Sequence, residues 1–203
     1  MKIILKIKIL IKILIIISCS SHPSLAERIS LNKISDYING LTTLQADFEQ
    51  INSDGSIDRG KLYIRRPGRM RLEYTAPNNA LVIAGAGSVA IFDDKSKNGP
   101  TLFPLKKTPL NLLLKKNVDL YKNEMITEHT ANNENTFIVA TDPKRKSQGS
   151  IKMVFSNSPV SLQGWTITNQ SNQKTKIILD KLDKKTKIPL YLFNISAASK
   201  NKN

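Results

Sequence analysis

The chain is poor in the side chains that usually carry chemistry. Of its 203 residues, one is cysteine and two are histidine. With Cys19 alone, no disulfide can form within the chain. His22 and His129 lie far apart, and no zinc spacing, nucleophile elbow or phosphate-cradling loop accompanies them. Aromatic residues make up 6%, with a single tryptophan at Trp165, so no aromatic run interleaved with cations offers bases a stacking platform. Nucleic acid is therefore not an expected partner. Gly85-Ala86-Gly87-Ser88 lacks the longer glycine pattern and following helix of a nucleotide site, and it reads as a tight turn. Asp93 and Asp94 precede a polar loop and read as solvated. No catalytic residue, metal or cofactor is expected, and the chain reads as something other than an enzyme.

Acidic residues are also scarce, 16 against 31 basic ones. Part of that excess sits in residues 1–26, which have a lysine-bearing start, an aliphatic run ending at Ile17 and then small polar residues. Ser24 and Ala26 occupy the −3 and −1 positions of a small-x-small cleavage site, the pattern of a secretory signal. Lys6, Lys8 and Lys12 interrupt the apolar run, which falls short of the ~20 residues a membrane span requires. Cleavage after Ala26 is expected, leaving a domain over 27–203. The alternative is lipidation at Cys19, where "IISC" imperfectly resembles a lipidation box; it would make the product a membrane-anchored protein. Removing the segment's four lysines leaves 27 basic residues against 16 acidic, a net charge of +11. The lysines are scattered, so this charge reads as a solvated exterior compatible with anionic membranes.

The remaining pattern is that of a curled sheet. In "ERISLNKISDYINGL", Ile34, Ile38 and Leu41 recur at helical spacing, with Gly40 as a stop. From Leu44 the period changes to two. A hairpin signal stands at "SDGS", 53–56, followed by expected strands over Lys61–Arg66 and Arg69–Thr75 and two short ones around Gly85–Gly87. Thr108 and Pro109 read as the cap and first residue of a short leucine-rich helix. Strands are expected again around Leu120–Glu128, Thr136–Thr141, Ser150–Ser156, Gly164–Asn169, Lys174–Leu182 and Pro189–Ile195. About eleven strands with two helical pieces and no βαβ rhythm predict a mainly antiparallel, curling β-structure in one domain.

One residue breaks the alternation. In "GKLYIRRPGRMRLEY", Leu62, Ile64, Met70, Leu72 and Tyr74 share one face, and parity places Arg66 on that apolar side. Three readings are open. Arg66 could snorkel to water at the strand end, bind an anionic ligand at a cavity mouth, or donate to exposed carbonyls of a covering helix.

Most of the chain beyond the leader, most densely from Leu44 to Leu114, resembles the LolA-type periplasmic lipoprotein carriers of bacteria with two membranes. The resemblance is carried by Phe48 and Gln50, the Asp54-Gly55 turn, Gly60-x-Leu62, Arg66-Pro67 and Thr108-Pro109-Leu110 in order. It implies an incomplete, unclosed β-barrel with a short helical lid and a periplasmic location. It also implies a monomer that receives lipoprotein acyl chains from an inner-membrane lipoprotein-releasing ABC transporter and passes them to an outer-membrane lipoprotein receptor. On that reading Leu44, Phe48, Leu62, Ile64, Met70, Leu72 and Tyr74 line an apolar hollow. Ile34, Ile38, Leu110, Leu113 and Leu114 belong to the lid, and Arg66 is its latch. With Cys19 lipidated, the same fold would instead be an outer-membrane-anchored acceptor.

Overall fold

The computed structural model describes residues 28–93, 99–122, 124–144 and 149–202. The expected signal segment, Cys19 and Asp94 lie outside the described residues. Strand alternation decides which way the sheet faces. β1 (Thr43–Ile51) buries Leu44, Ala46 and Phe48 while their neighbours stay partly exposed. β2 (Ile57–Arg65) and β3 (Arg69–Tyr74) extend that face with Leu62, Ile64, Met70 and Leu72. Register locks these residues together: Leu44 opposes Ile64, which opposes Met70, and Ala46 opposes Leu62, which opposes Leu72. A slip of one residue would turn the whole set to the other face.

The first half continues outward as β4 (Leu81–Gly85), β5 (Ser88–Phe92) and β6 (Thr101–Pro104). A linking segment then leads to β7 (Ile126–Ala131), β8 (Asn135–Thr141), β9 (Ser150–Asn157), β10 (Val160–Thr168) and β11 (Lys174–Asp183). All eleven form one antiparallel sheet, ordered β6-β5-β4-β3-β2-β1-β11-β10-β9-β8-β7. Two meanders thus meet at β1 and β11, with Phe48 opposite Leu179 and Gln50 opposite Ile177. The sheet is not closed, because β6 and β7 are its two edges.

Helix α1 (Leu31–Gly40) begins at Ser30, whose hydroxyl accepts from the Lys33 amide at 3.3 Å. Its buried stripe, Ile34 and Ile38, joins the inner core together with Leu105, Leu110, Leu112, Leu113, Leu114, Val118 and Leu120 of the linking segment. A second apolar cluster lies on the outer face of the first meander. There Leu81, Ile83, Ala90 and Phe92 pack with Ile188 and Phe193 from the C-terminal segment.

Three local expectations are corrected. Pro189–Ile195 is not a strand. β11 is flanked on both sides by β1 and β10, so no edge is free beside it. The segment crosses the outer face as a 3-10 turn, Leu190–Phe193, leading into α3 (Ile195–Lys202). The Asn194 side chain accepts from the Ala197 amide at 3.0 Å and caps that helix. Leu120–Glu128 begins as turns and becomes a strand only at Ile126, because the Leu120 amide is held by Ser35 Oγ and the Asp119 carboxylate accepts from the Lys122 amide. Thr108 does not cap the start of the leucine-rich helix. Its hydroxyl donates to the Leu105 carbonyl at 2.8 Å, closing a 3-10 turn over Leu105–Lys107, and α2 spans only Asn111–Leu114.

Candidate functional site

The inner face of β1–β3 and the elements above it form a compartment with almost no polar content. Leu44, Leu62 and Ile64 have no exposed surface, and Phe48, Met70 and Leu72 are at most 6% exposed. Tyr74 is partly buried; its ring meets that of Phe48 edge-on, centroids 5.1 Å apart, and its hydroxyl donates to Gln50 Oε1 at 2.5 Å. Burial, reinforced by the Asp58 charge, raises the Tyr74 phenol well above its ordinary pKa, so it stays a neutral donor. Gly60 stands between these rings in the register; a Cβ there would lie 2.9 Å from the Phe48 ring and closer still to the Glu73 carbonyl. The glycine of the Gly-x-Leu pattern is therefore the space the ring pair occupies.

From above, Ile34, Ile38, Leu113 and Leu114 reach into the same compartment with no exposed surface, and Leu110 is 5% exposed. The structure thus brings every expected lining and lid residue into one cluster. Here the lid's own side chains pack against the lining inside this compartment. Ser35 and Thr136 are its buried polar residues, and both are satisfied. Ser35 Oγ donates to the Leu31 carbonyl and accepts from the Leu120 amide, while Thr136 Oγ1 accepts from the Ile29 amide and donates to Asn157.

The two lid pieces are tied to each other. The Asn39 side chain donates to the Val118 carbonyl at 2.8 Å and accepts from the Val118 amide at 2.9 Å. With the Ser35–Leu120 bond, this makes α1 and the segment after α2 one body. At its other end that body is anchored to the second meander. Arg28 donates to the His129 carbonyl, and His129 Nε2 in turn lies 2.8 Å from the Ile29 carbonyl. The Tyr37 hydroxyl accepts from the Leu162 amide, which the bulge in β10 leaves available.

Arg66 fastens the opposite corner. It follows β2 directly, with its amide bonded to the Thr42 carbonyl at 2.8 Å. One terminal nitrogen, Nη1, donates to the Ile38 carbonyl and lies 3.5 Å from that of Leu41; the other, Nη2, donates to the Lys115 carbonyl at 2.6 Å and lies 3.5 Å from that of Lys116. These carbonyls lie at the C-terminal ends of α1 and α2, and that of Ile38 also accepts from the Leu41 amide at 3.1 Å. A planar fork fits two such sites at once. The adjacent turn adds one more tie, from the Gly68 amide to the Leu114 carbonyl at 2.8 Å. Desolvation lowers the Arg66 pKa, but arginine starts so far above neutrality that the charge persists. Its Nε is buried without a hydrogen-bond partner among the described residues. The guanidinium points at main-chain oxygens rather than to solvent.

Sequence reasoning missed Asn39 and Ser35, which tie the lid together, because both sit in a short helix where they look like ordinary surface and stop residues. It also missed what Arg65 and Arg71 do. Their outward parity suggests water, yet Arg65 donates to the Ile188 carbonyl at 2.6 Å and Arg71 to the Leu192 carbonyl at 3.0 Å, holding the C-terminal strap.

The family model described as outer membrane lipoprotein carrier protein LolA matches residues 39–196. The chain belongs to the LolA family. Among the LolA relatives, an outer-membrane lipoprotein carrier protein of Dechloromonas aromatica is 25% identical over 86% of this chain and 86% of its own length. An uncharacterized protein of Rickettsia prowazekii is 28% identical over 92% of this chain and 86% of its own. In fold, the crystal structure of a Vibrio parahaemolyticus domain described as outer membrane lipoprotein-sorting matches with a TM-score of 0.51 at 11% identity. That match covers 83% of this chain and 97% of that one.

Proposed function

We propose that this protein is a periplasmic carrier for the acyl chains of lipoproteins. It takes them from an inner-membrane ABC transporter and gives them up to an outer-membrane receptor. The observation that carries the reading is the Arg66 fork, which joins the sheet to both lid pieces over a face lined by aliphatic side chains. Leu44, Phe48, Leu62, Ile64, Met70, Leu72 and Tyr74 are the lining that cargo would meet. Ile34, Ile38, Leu110, Leu113 and Leu114 are the side chains it would displace, and Arg66 is the latch. The leader over 1–26 is removed at export, leaving Glu27 first.

Magnitudes favour exchange over permanent capture. Withdrawing Ile34, Ile38, Leu113 and Leu114 from the face would cost about 6–12 kcal/mol, at ~1.5–3 kcal/mol for each buried side chain. An acyl chain burying roughly fourteen methylenes returns about 11 kcal/mol at ~0.8 kcal/mol each. For one chain the two sums lie close together, so a single acyl chain about offsets the opening of the lid. Arg66 tilts the balance toward closure through hydrogen bonds from a charged donor, each worth about 1.5–3 kcal/mol.

The test is Arg66→Leu in the exported protein. The variant should bind an environment-sensitive apolar dye more strongly than wild type, load lipoproteins from spheroplasts readily and release them poorly to outer membranes. Arg66→Lys should fall between, since an ammonium lacks the fork. Dye binding and release indistinguishable from wild type in both variants would overturn the latch.

A further inference from the structure

A cleft of about 120 Å³ opens where the linking segment crosses the ends of β7, β8 and β9. Lys106, Lys107 and Lys115 line it from the link, and Leu112, Met125, Ala140 and Ile151 provide its apolar surface. Leu112, Ala140 and Ile151 are at most 3% exposed and belong to the inner core, so the floor is continuous with the covered face. One carboxylate, Asp142, lines the same cleft and accepts from the Lys144 amide at 2.9 Å. Among the described residues, three cations and one carboxylate therefore line a cleft with an apolar floor. Of these lysines only Lys115 takes part in the latch described above, and it does so through its main-chain carbonyl and not its ammonium.

We propose that this cleft seats a lipid with an anionic head, its head held by Lys106, Lys107 and Lys115 and the first carbons of its tail against Leu112, Met125, Ala140 and Ile151. The chemistry selects both halves of such a molecule. An ammonium is a compact, strongly hydrated point charge suited to a phosphate or carboxylate near the surface. A cavity of this size holds a short apolar segment and not a whole chain; an engineered apolar cavity of about 150 Å³ holds benzene. A neutral head would leave the lysines' excess charge over Asp142 unmatched, and a bare anion would leave the floor uncovered. The seat does not require the lid to open, and it stands or falls separately from the carrier reading.

The methionines make the test specific. Beyond the leader the chain has three: Met125 in the cleft, and Met70 and Met153 fully buried in the inner core. The exported protein, labelled at its methionine methyls, is titrated by NMR with decyl phosphate, decyl maltoside and inorganic phosphate. Decyl phosphate should move the Met125 signal at concentrations about tenfold below those decyl maltoside needs, the preference expected from three partly exposed ion pairs, and added salt should erode it. Inorganic phosphate should leave Met125 unmoved. Replacing Lys106, Lys107 and Lys115 together with Gln should abolish the preference; Lys106 and Lys107 are exposed, so the fold has little to lose. Equal response of Met125 to the charged and neutral detergents, a response to inorganic phosphate alone, or an unchanged preference in the triple variant would overturn the seat. Movement of Met70 and Met153 without Met125 would also overturn it, while leaving the carrier reading in place.

Discussion

Arg65 and Arg66 leave the end of one strand in opposite directions and perform the same chemistry on different partners. Each presents a guanidinium to main-chain carbonyls, Arg66 to the lid on the inner face and Arg65 to Ile188 on the outer. Only the first was legible, because a cation at an apolar parity is an anomaly and one at a polar parity is not. What Arg65 binds lies 123 residues away in sequence, beyond the reach of any local pattern. His129 shows a second kind of residue-scale effect. Burial is the main cause that lowers its pKa, and the Arg28 charge adds to it; the bond with the Ile29 carbonyl opposes both. Since the folded-state pKa lies below the ordinary value of 6.5, the unfolded chain binds the proton more readily. The stability His129 contributes is therefore complete above that ordinary value and is lost as pH falls through the folded one. Thermal melts of the exported protein should show a drop in Tm between about pH 7.5 and about pH 5 that is shallower in His129→Gln. Parallel pH profiles for the two proteins would show that the group is not coupled to folding.

At the scale of elements, what could be read depended on whether a segment's partner was its neighbour in sequence. β1 to β3 follow from alternation and turn residues alone, because each hairpin pairs with the strand just before it. The C-terminal segment could not be placed this way. Pro189–Ile195 has the apolar content of a strand, but its partners are Leu81, Ile83, Ala90 and Phe92 on the outer face. The contact that fixes it involves Gly85, where an added Cβ would lie 2.4 Å from the Phe193 carbonyl. Gly85→Ala should therefore push the strap off the sheet and lower stability by about 1–3 kcal/mol, the usual cost of overpacking. Limited proteolysis with mass spectrometry should find cleavage between 188 and 200 ahead of any other site, and urea titration should give the stability loss. Arg71→Ala, which removes the bond to the Leu192 carbonyl, should produce the same first cut. A digestion pattern identical to wild type in both variants would mean the strap is held by other contacts.

For the molecule as a whole, the bonds within the sheet and those that tie the lid to it are very unequal. The strands form an unbroken ladder from β6 to β7, whereas Arg66 and the Gly68 amide supply the polar ties at the lid's free corner. The bonds from Val118 and Leu120 to Asn39 and Ser35 lie within the lid itself. A rigid tilt about the ties at Ile29 and Tyr37 would break the first set and spare the second. Hydrogen exchange distinguishes this from local melting. On binding a diacylated peptide, the Gly68 amide should exchange about tenfold faster, the equivalent of losing one net hydrogen bond. The Val118 and Leu120 amides should keep their protection, since their partners would travel with them. Phe48 and Gln50, at the junction of the two meanders, should not change, because opening leaves the β1–β11 register intact. Faster exchange at Val118 and Leu120 together with Gly68 would mean that the lid unravels instead of tilting. Unchanged exchange at all three in the loaded protein would mean that acyl chains bind without moving it.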